Sequence, residues 1–303
     1  MKKLFVLFAG IVLCLCLASC NKYEESMYNK SDYQIQYVWY KSNAGNPNET
    51  FTYDKKKLLS RIDIIDSSDL NDIRVEVFEF TYNKDKTVQS ISHTNGETSE
   101  SIDFGYLNRY VKYMNYTQDG EIRLTSNFFR DDEEAAKITR IVEIYDRDFF
   151  ENTQSYSKTA LFRKFIGDPA KVKELAVAGT KSLTLYCNKT ITYDGENIVE
   201  IKEEYPYTHK TVKTVKTYSG VLNPYYGLNY CYAKDLAGFS KNTVASSTIT
   251  TYFDGILTNM EQTDYQYDDV NKDNYPRVFK YTSNKNPGVT FKTYITYVSE
   301  YKK

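Results

Sequence analysis

The sequence predicts a mostly β protein: an antiparallel sheet built from repeated hairpins, with one short helix near residues 168–179. Three observations predict it. Thirty of the 303 residues are tyrosine, and tyrosine with Thr, Val, Ile and Phe favours half-buried pleated surfaces. Apolar and polar residues alternate with period two over many short runs. A strand–turn–strand unit of nearly constant spacing recurs along the chain.

The chain opens with Lys2 and Lys3, an apolar run from Leu4 to Leu17, and then Ala18-Ser19-Cys20. That is a secretory signal peptide over residues 1–19 whose cleavage site has lipobox form. The apolar run is shorter than the ~20 residues that span a bilayer. Cleavage before Cys20 would leave its sulfur to carry a diacylglycerol thioether, a lipid attachment readable by palmitate incorporation. Residues 20–33 are polar and aperiodic and read as a lipidated tether. Residues 34–303 form a single β-rich domain, with two similar halves joined around 165–180 as the alternative.

The chain holds 39 Lys and Arg against 40 Asp and Glu. Losing Lys2 and Lys3 with the signal peptide leaves a mature net charge of −3. Nucleic acid, which wants a clustered basic face, is not an expected partner. Of five cysteines, Cys14 and Cys16 leave with the signal and Cys20 is the anchor. Cys187 and Cys231 are a candidate disulfide in an oxidising compartment, with two separate buried thiols as the alternative.

Strand alternation begins at Gln34-Ile35-Gln36-Tyr37-Val38-Trp39-Tyr40, and Asn43 to Asn48 is a turn cluster. The recurring unit first runs from Phe51 through Tyr53-Asp54 to Ile62, and repeats from Phe80 through Tyr82-Asn83 to Ile91. A copy one residue shorter spans Ile191 to Ile201, and a looser one runs from Tyr252 to Met260. Tyr265-Gln266-Tyr267-Asp268 opens a version with a longer loop that closes at Pro276-Arg277-Val278-Phe279. Tyrosine ends the incoming strand on the buried face. Asp or Asn opens the turn by bonding the backbone ahead of it. A β-branched or leucine residue then restarts the alternation. Asp131-Asp132-Glu133-Glu134 reads as a solvated loop into the strand Ile138–Tyr145. Asp168-Pro169 through Gly179 has an N-cap Asp, Pro at the first helical position and a Gly stop, and predicts a helix.

The lipobox, the Tyr-Asp hairpins and one further stretch together resemble a family of Bacteroidetes lipoproteins of unknown function. The hairpins are similar to the tyrosine-aspartate repeats of Rhs-type proteins. The further stretch is Asn223-Pro224-Tyr225-Tyr226-Gly227 followed by Leu236 to Asn242. The resemblance implies an antiparallel β lipoprotein of the bacterial envelope and supplies no catalytic residues. Glu24 and Glu25, soon after the anchor, resemble the surface-export signal of such lipoproteins, which implies an outer-membrane protein on the cell surface.

No catalytic constellation stands out. His93 and His209 read as isolated surface histidines, without a nucleophile elbow. Neither they nor the cysteines show zinc-ligand spacing. Asp269-Val270-Asn271-Lys272-Asp273 starts like a calcium loop, but Asn274 and Lys280 stand where Gly and a bidentate acid belong, so a polar hairpin loop is the reading. No metal or other cofactor is expected. Trp39 and Tyr37 share one strand face, and with Tyr225 and Tyr226 they are the candidate ligand-facing aromatics. The plainer reading of Trp39 is a core anchor. The function expected is a non-enzymatic binding or interaction module for a glycan or an envelope protein. An envelope glycoside hydrolase and a carrier of an apolar ligand are the alternatives.

Overall fold

The computed structural model describes residues 34–40, 46–66, 74–96, 98–108, 110–131, 137–152, 159–167, 184–227 and 236–298. The strands are β1 (Ile35–Tyr40), β2 (Glu49–Tyr53), β3 (Leu59–Asp66), β4 (Arg74–Tyr82), β5 (Val88–Thr94), β6 (Ser99–Leu107), β7 (Tyr110–Gln118) and β8 (Glu121–Phe129). They continue with β9 (Arg140–Asp146), β10 (Thr184–Asp194), β11 (Asn197–Tyr205), β12 (Lys210–Leu222), β13 (Asn242–Phe253), β14 (Ile256–Val270), β15 (Pro276–Ser283) and β16 (Thr290–Tyr297). Each pairs antiparallel with its sequence neighbours, and β1 pairs with β16 to close a barrel. Two short helices, α1 (Arg147–Asn152) and α2 (Ala160–Phe165), lie between β9 and β10. The helix expected at 168–179 falls outside the described residues.

Three copies of the repeated unit share one turn geometry. Asp54 Oδ1 accepts the N–H groups of Lys56 and Leu58, both at 2.8 Å. The Asp54 N–H returns to the Leu58 carbonyl at 2.8 Å, and Lys57 takes the left-handed conformation at φ 64°. Asn83 to Thr87 repeats the backbone bonds with Lys86 at φ 68°. Asn271 to Tyr275 repeats them again, with Asn271 Oδ1 accepting from Asp273 and Tyr275 and Asn274 at φ 67°. The stretch that starts like a calcium loop is therefore part of a third such hairpin. The Tyr252 copy differs. Asp254 and Gly255, at φ 48° and 78°, make a two-residue turn at the opposite rim.

The tyrosines before these turns explain the spacing. Strands joined at the far rim, β1 with β2, β3 with β4 and so on, have free ends at the near rim. A phenol closes those ends. Tyr53 donates to the Ile35 carbonyl at 2.8 Å, Tyr82 to Leu59 at 2.7 Å and Tyr106 to Val88 at 2.7 Å. Tyr267 reaches the Val244 carbonyl at 2.7 Å, Tyr297 reaches Pro276 at 2.6 Å, and Tyr218 bonds Ile198. On β8 the same place is taken by Arg130, whose Nη1 donates to Val111 at 2.7 Å. Most of these phenols follow a register shift in the strand, as at Thr52/Tyr53, Thr81/Tyr82 and Gly105/Tyr106. A bulge that re-aims one side chain is what a rim bridge needs.

Sixteen strands enclose a lumen too wide for their own side chains to fill. Of the residues between β9 and β10, α1 and α2 turn inward and fill part of it. Phe165 packs edge-on against Phe78 at 5.4 Å and Phe80 at 6.0 Å, and Phe162 packs against Tyr116 at 5.2 Å and Phe150 at 4.8 Å. Ile62, Ile91, Ile102, Met114, Leu124 and Phe128 complete the core from the strands. Several outward rows are polar: Arg61 and Asp63 on β3, Ser101 and Asp103 on β6, Glu200, Lys202 and Glu204 on β11, Gln262, Asp264 and Gln266 on β14, with exposed Val75, Tyr113, Ile144, Val215 and Met260 also among the outward positions. A lipid-spanning barrel has the opposite pattern, apolar outside.

Replacing Tyr82 by Phe should leave the Leu59 carbonyl without its phenol and cost about 1–2 kcal/mol in urea denaturation. Tyr207→Phe, an exposed phenol, should be neutral within error.

Candidate functional site

Charged residues occupy inward positions of the barrel wall, and they come in two groups. In the first, His93 on β5 lies between two carboxylates. Its Nδ1 is 3.0 Å from Glu100 Oε2 on β6, and its Nε2 bonds Glu76 on β4. Glu100 also accepts the Tyr116 hydroxyl at 2.7 Å and the Leu161 N–H at 3.0 Å. Burial alone would lower the His93 pKa. Its hydrogen bonds to Glu100 and Glu76 outweigh that and raise it to about 9. The imidazolium is thus the resident form near neutral pH. Lys164 on α2 places its Nζ 2.7 Å from both oxygens of buried Glu49 on β2, which also accepts the Tyr40 hydroxyl. Glu100 and Glu49 latch the two ends of α2 to the wall.

The second group spans β9 to β11. Lys189 Nζ lies 3.0 Å from Glu143 and 3.2 Å from Glu203. Tyr145 donates to Glu143 at 2.5 Å and Tyr205 to Glu203 at 3.0 Å. Burial opposes the Lys189 charge, but the two carboxylates win and hold its pKa well above the usual value. Burial, then Glu143, pushes the Tyr145 phenol up; burial, then Glu203, does so at Tyr205. A glycoside hydrolase would need a pair of acids available to the substrate. Each carboxylate here already accepts from a buried cation, and most from a phenol as well, so the groups serve as wall ties.

Across the barrel the inner face of β14–β16 is aromatic and half-buried. Tyr265 and Tyr281 have ring centroids 5.8 Å apart, Tyr281 stacks on Phe291 at 4.8 Å and 12°, and Tyr267 meets Phe279 at 5.9 Å. Register puts Thr263 opposite Ser283 in the next inward row. Tyr40, inward on β1 and 48 % exposed, stands beside this wall. The plug-side positions are buried by contrast, with Phe78, Phe162 and Leu161 at 0–1 %. Rings with phenol and hydroxyl neighbours suit an amphipathic ligand.

The sequence-derived candidates are dispersed. Trp39 and Tyr37 lie on the outer face of β1, edge to face at 5.6 Å and half-buried, because Val38 and Tyr40 take the inward positions. Trp39 is therefore not a core anchor. Tyr225 packs against the core, and Tyr226 donates to Glu196 at 2.8 Å at the near rim. Asn223 holds that loop by accepting from Tyr225 N–H and donating to the Ser240 carbonyl. His209 is exposed, but His93, read as a surface residue, is 2 % exposed: it sits in phase with Ile91, on the inward row of β5. Cys187 is a buried free thiol beside Tyr205, its pKa pushed up by burial. Cys231 and Cys20 lie outside the described residues. Among the described residues no group of three His, Cys, Asp or Glu is placed to hold a metal.

Sequence reasoning missed Glu76, Glu100, Glu143, Lys189 and Glu203. A signal existed in the phase of alternation. Glu76 falls in the row of Phe78 and Phe80, Glu100 in the row of Ile102 and Phe104, and Lys189 in the row of Cys187 and Ile191.

No family model and no curated protein matches the chain. Among solved structures, a porin-like protein from Bacteroides uniformis aligns with 82 % of this chain and 89 % of its own, at 11 % identity and TM-score 0.46. A porin-like protein from Bacteroides vulgatus covers 88 % and 99 %, at 9 % identity and TM-score 0.37. A chain of the Photorhabdus luminescens Tc holotoxin pore covers 76 % of this chain and 11 % of its own, at 14 % identity and TM-score 0.32. These superpositions are too loose for the neighbours' names to bear on this chain.

The His93 pKa lies above its unfolded value near 6.5, so the stability it contributes is full below that pH and is lost as pH rises through about 9. Each tenfold change in proton affinity is worth about 1.4 kcal/mol, so wild-type stability should fall by up to about 3 kcal/mol between pH 6 and 10. The fall should be much smaller in His93→Gln, as read by urea denaturation across pH. Glu100→Ala, which leaves His93 Nδ1, the Tyr116 hydroxyl and the Leu161 N–H without their acceptor, should cost about 3–5 kcal/mol.

Proposed function

We propose that the chain is a lipid-anchored protein of the bacterial envelope, acting as a non-enzymatic binding module whose ligand meets the aromatic wall of β14–β16. The observation that carries the reading is that wall: three rings in a row across adjacent strands, half-exposed on the inner face, beside hydroxyls at Thr263 and Ser283. A glycan, with apolar C–H faces and hydroxyl edges, has the matching chemistry. The closed curvature also suits a carrier of an apolar ligand, but the phenols and hydroxyls of the wall favour the glycan.

The polar rows on the outer face of β3, β6, β11 and β14 support attachment through lipid at Cys20. Among the described residues no helix is long and apolar enough to cross a membrane. Glu24 and Glu25 behind the anchor favour the outer-membrane surface over the periplasm.

Binding of the wild-type protein to a glycan array tests the ligand class. Tyr281→Ala and Phe291→Ala should each lower affinity about tenfold for any glycan bound, with the fold intact by circular dichroism. A wild-type protein that binds no glycan, or variants that bind equally well, would contradict the reading. Cys20→Ala should abolish palmitate labelling and leave the lipid fraction; persistent labelling would refute the anchor. Protease shaving of intact cells should remove the domain, whereas survival until lysis would place it in the periplasm.

A further inference from the structure

The near rim carries a basic face at the point where the tether joins the barrel. Gln34, the residue that follows the tether, donates its side-chain amide to the Lys57 carbonyl at 2.7 Å. Its own carbonyl accepts the Val298 N–H at 2.9 Å. The chain therefore enters the barrel against the β2–β3 turn, between that turn and the β14–β15 turn. Those two turns and the β4–β5 turn present Lys55, Lys56, Lys57, Lys84, Lys86 and Lys272, all exposed. The same turns hold three acids, Asp54, Asp85 and Asp273. Two of them are committed to turn geometry: Asp54 accepts two backbone N–H groups and Asp85 accepts from Thr87. Six cations against three acids leave this sector of the rim positive in a mature chain of net charge −3.

The far-rim turns carry fewer lysines among the described residues. The tight ones carry Asp119 with Glu121, and Asp254 beside His209. Lys285 there is paired with Glu261 at 2.7 Å. A cluster of exposed lysines thus stands at the tether end of the barrel.

We propose that the lysine turns of the near rim bind an anionic lipid surface and stand the barrel on it, with the far rim pointing outward. Lysines close to an anionic surface are attracted over about a Debye length. A tether alone confines the domain near the membrane without orienting it, and a charged rim supplies the orientation. The orientation matters only if Cys20 is the anchor, so it rests on that reading, but the rim's affinity can be measured without the acyl chain. Turn geometry suits the role, because the backbone bonds of Asp54 and Asn83 hold the lysines outward whatever their side chains touch.

The test uses the mature chain, residues 20–303 with Cys20→Ala, mixed with phosphatidylcholine vesicles with or without phosphatidylglycerol. The protein should sediment only with the phosphatidylglycerol vesicles and should be released as sodium chloride is raised. A Lys55→Gln, Lys56→Gln, Lys84→Gln variant, which spares the left-handed positions Lys57 and Lys86, should lose at least tenfold in vesicle affinity. Lys285→Gln at the far rim should bind as the parent does. Equal binding to both vesicles, or an unchanged affinity in the triple variant, would overturn the proposal. So would displacement by inorganic phosphate but not by chloride at equal ionic strength, which would mark a discrete phosphate site. Palmitate labelling reads the anchor separately, so the two readings fail in distinguishable ways.

Discussion

The bond from a strand-end phenol to the carbonyl that begins the neighbouring strand is the constraint on which the barrel rests. Each far-rim connection joins an odd strand to the next even one, and these connections range from the two-residue Asp254-Gly255 turn to the segment 147–183. Long connections fix register poorly by themselves. A phenol, or Arg130 just after β8, pins seven of the eight pairs at the open end, independently of what the far-rim connection does. The β9–β10 pair is held by its own ladder and by those to β8 and β11, while α1 and α2 turn inward from it. Arg130 in place of a tyrosine on β8 shows that the requirement is a long side chain with a terminal donor.

The interior then has to be filled, and polar wall positions determine where the filler docks. Glu100 takes the Leu161 N–H at the start of α2, and Glu49 takes Lys164 near its end. Phe162 and Phe165 supply the apolar contact between those points. Buried charge is costly unless every partner is in place, which makes these latches selective: a displaced helix would take the Leu161 N–H from Glu100 and Lys164 from Glu49. The Glu143–Lys189–Glu203 group ties three adjacent strands in the same manner.

Local features are legible in the sequence and non-local ones are not. The Asp54, Asn83 and Asn271 turns each need only five residues, and the strand class follows from alternation. Closure of β1 on β16 depends on partners more than 250 residues apart, such as Trp39 and Tyr294, and no local pattern encodes it. α1 and α2 are six residues each, too short for helical periodicity to rise above the flanking sequence. His93 looks exposed because Ser, Thr and Asn surround it, and only its phase with Ile91 places it inside. Trp39 shows the same rule in reverse: its residue type suggests the core, while Val38 and Tyr40 hold the inward row.

A barrel with polar rows outside and a latched plug inside should fold and stay folded without lipid or detergent. Amide hydrogen exchange of the mature, non-acylated chain in detergent-free buffer tests this most directly. The account predicts that the amides of Leu161, Phe162 and Phe165 are protected to the same degree as those of β5 and β6, which hold the plug. Rapid exchange over 160–165 beside protected strands, or a chain that needs detergent to protect its strands at all, would contradict it.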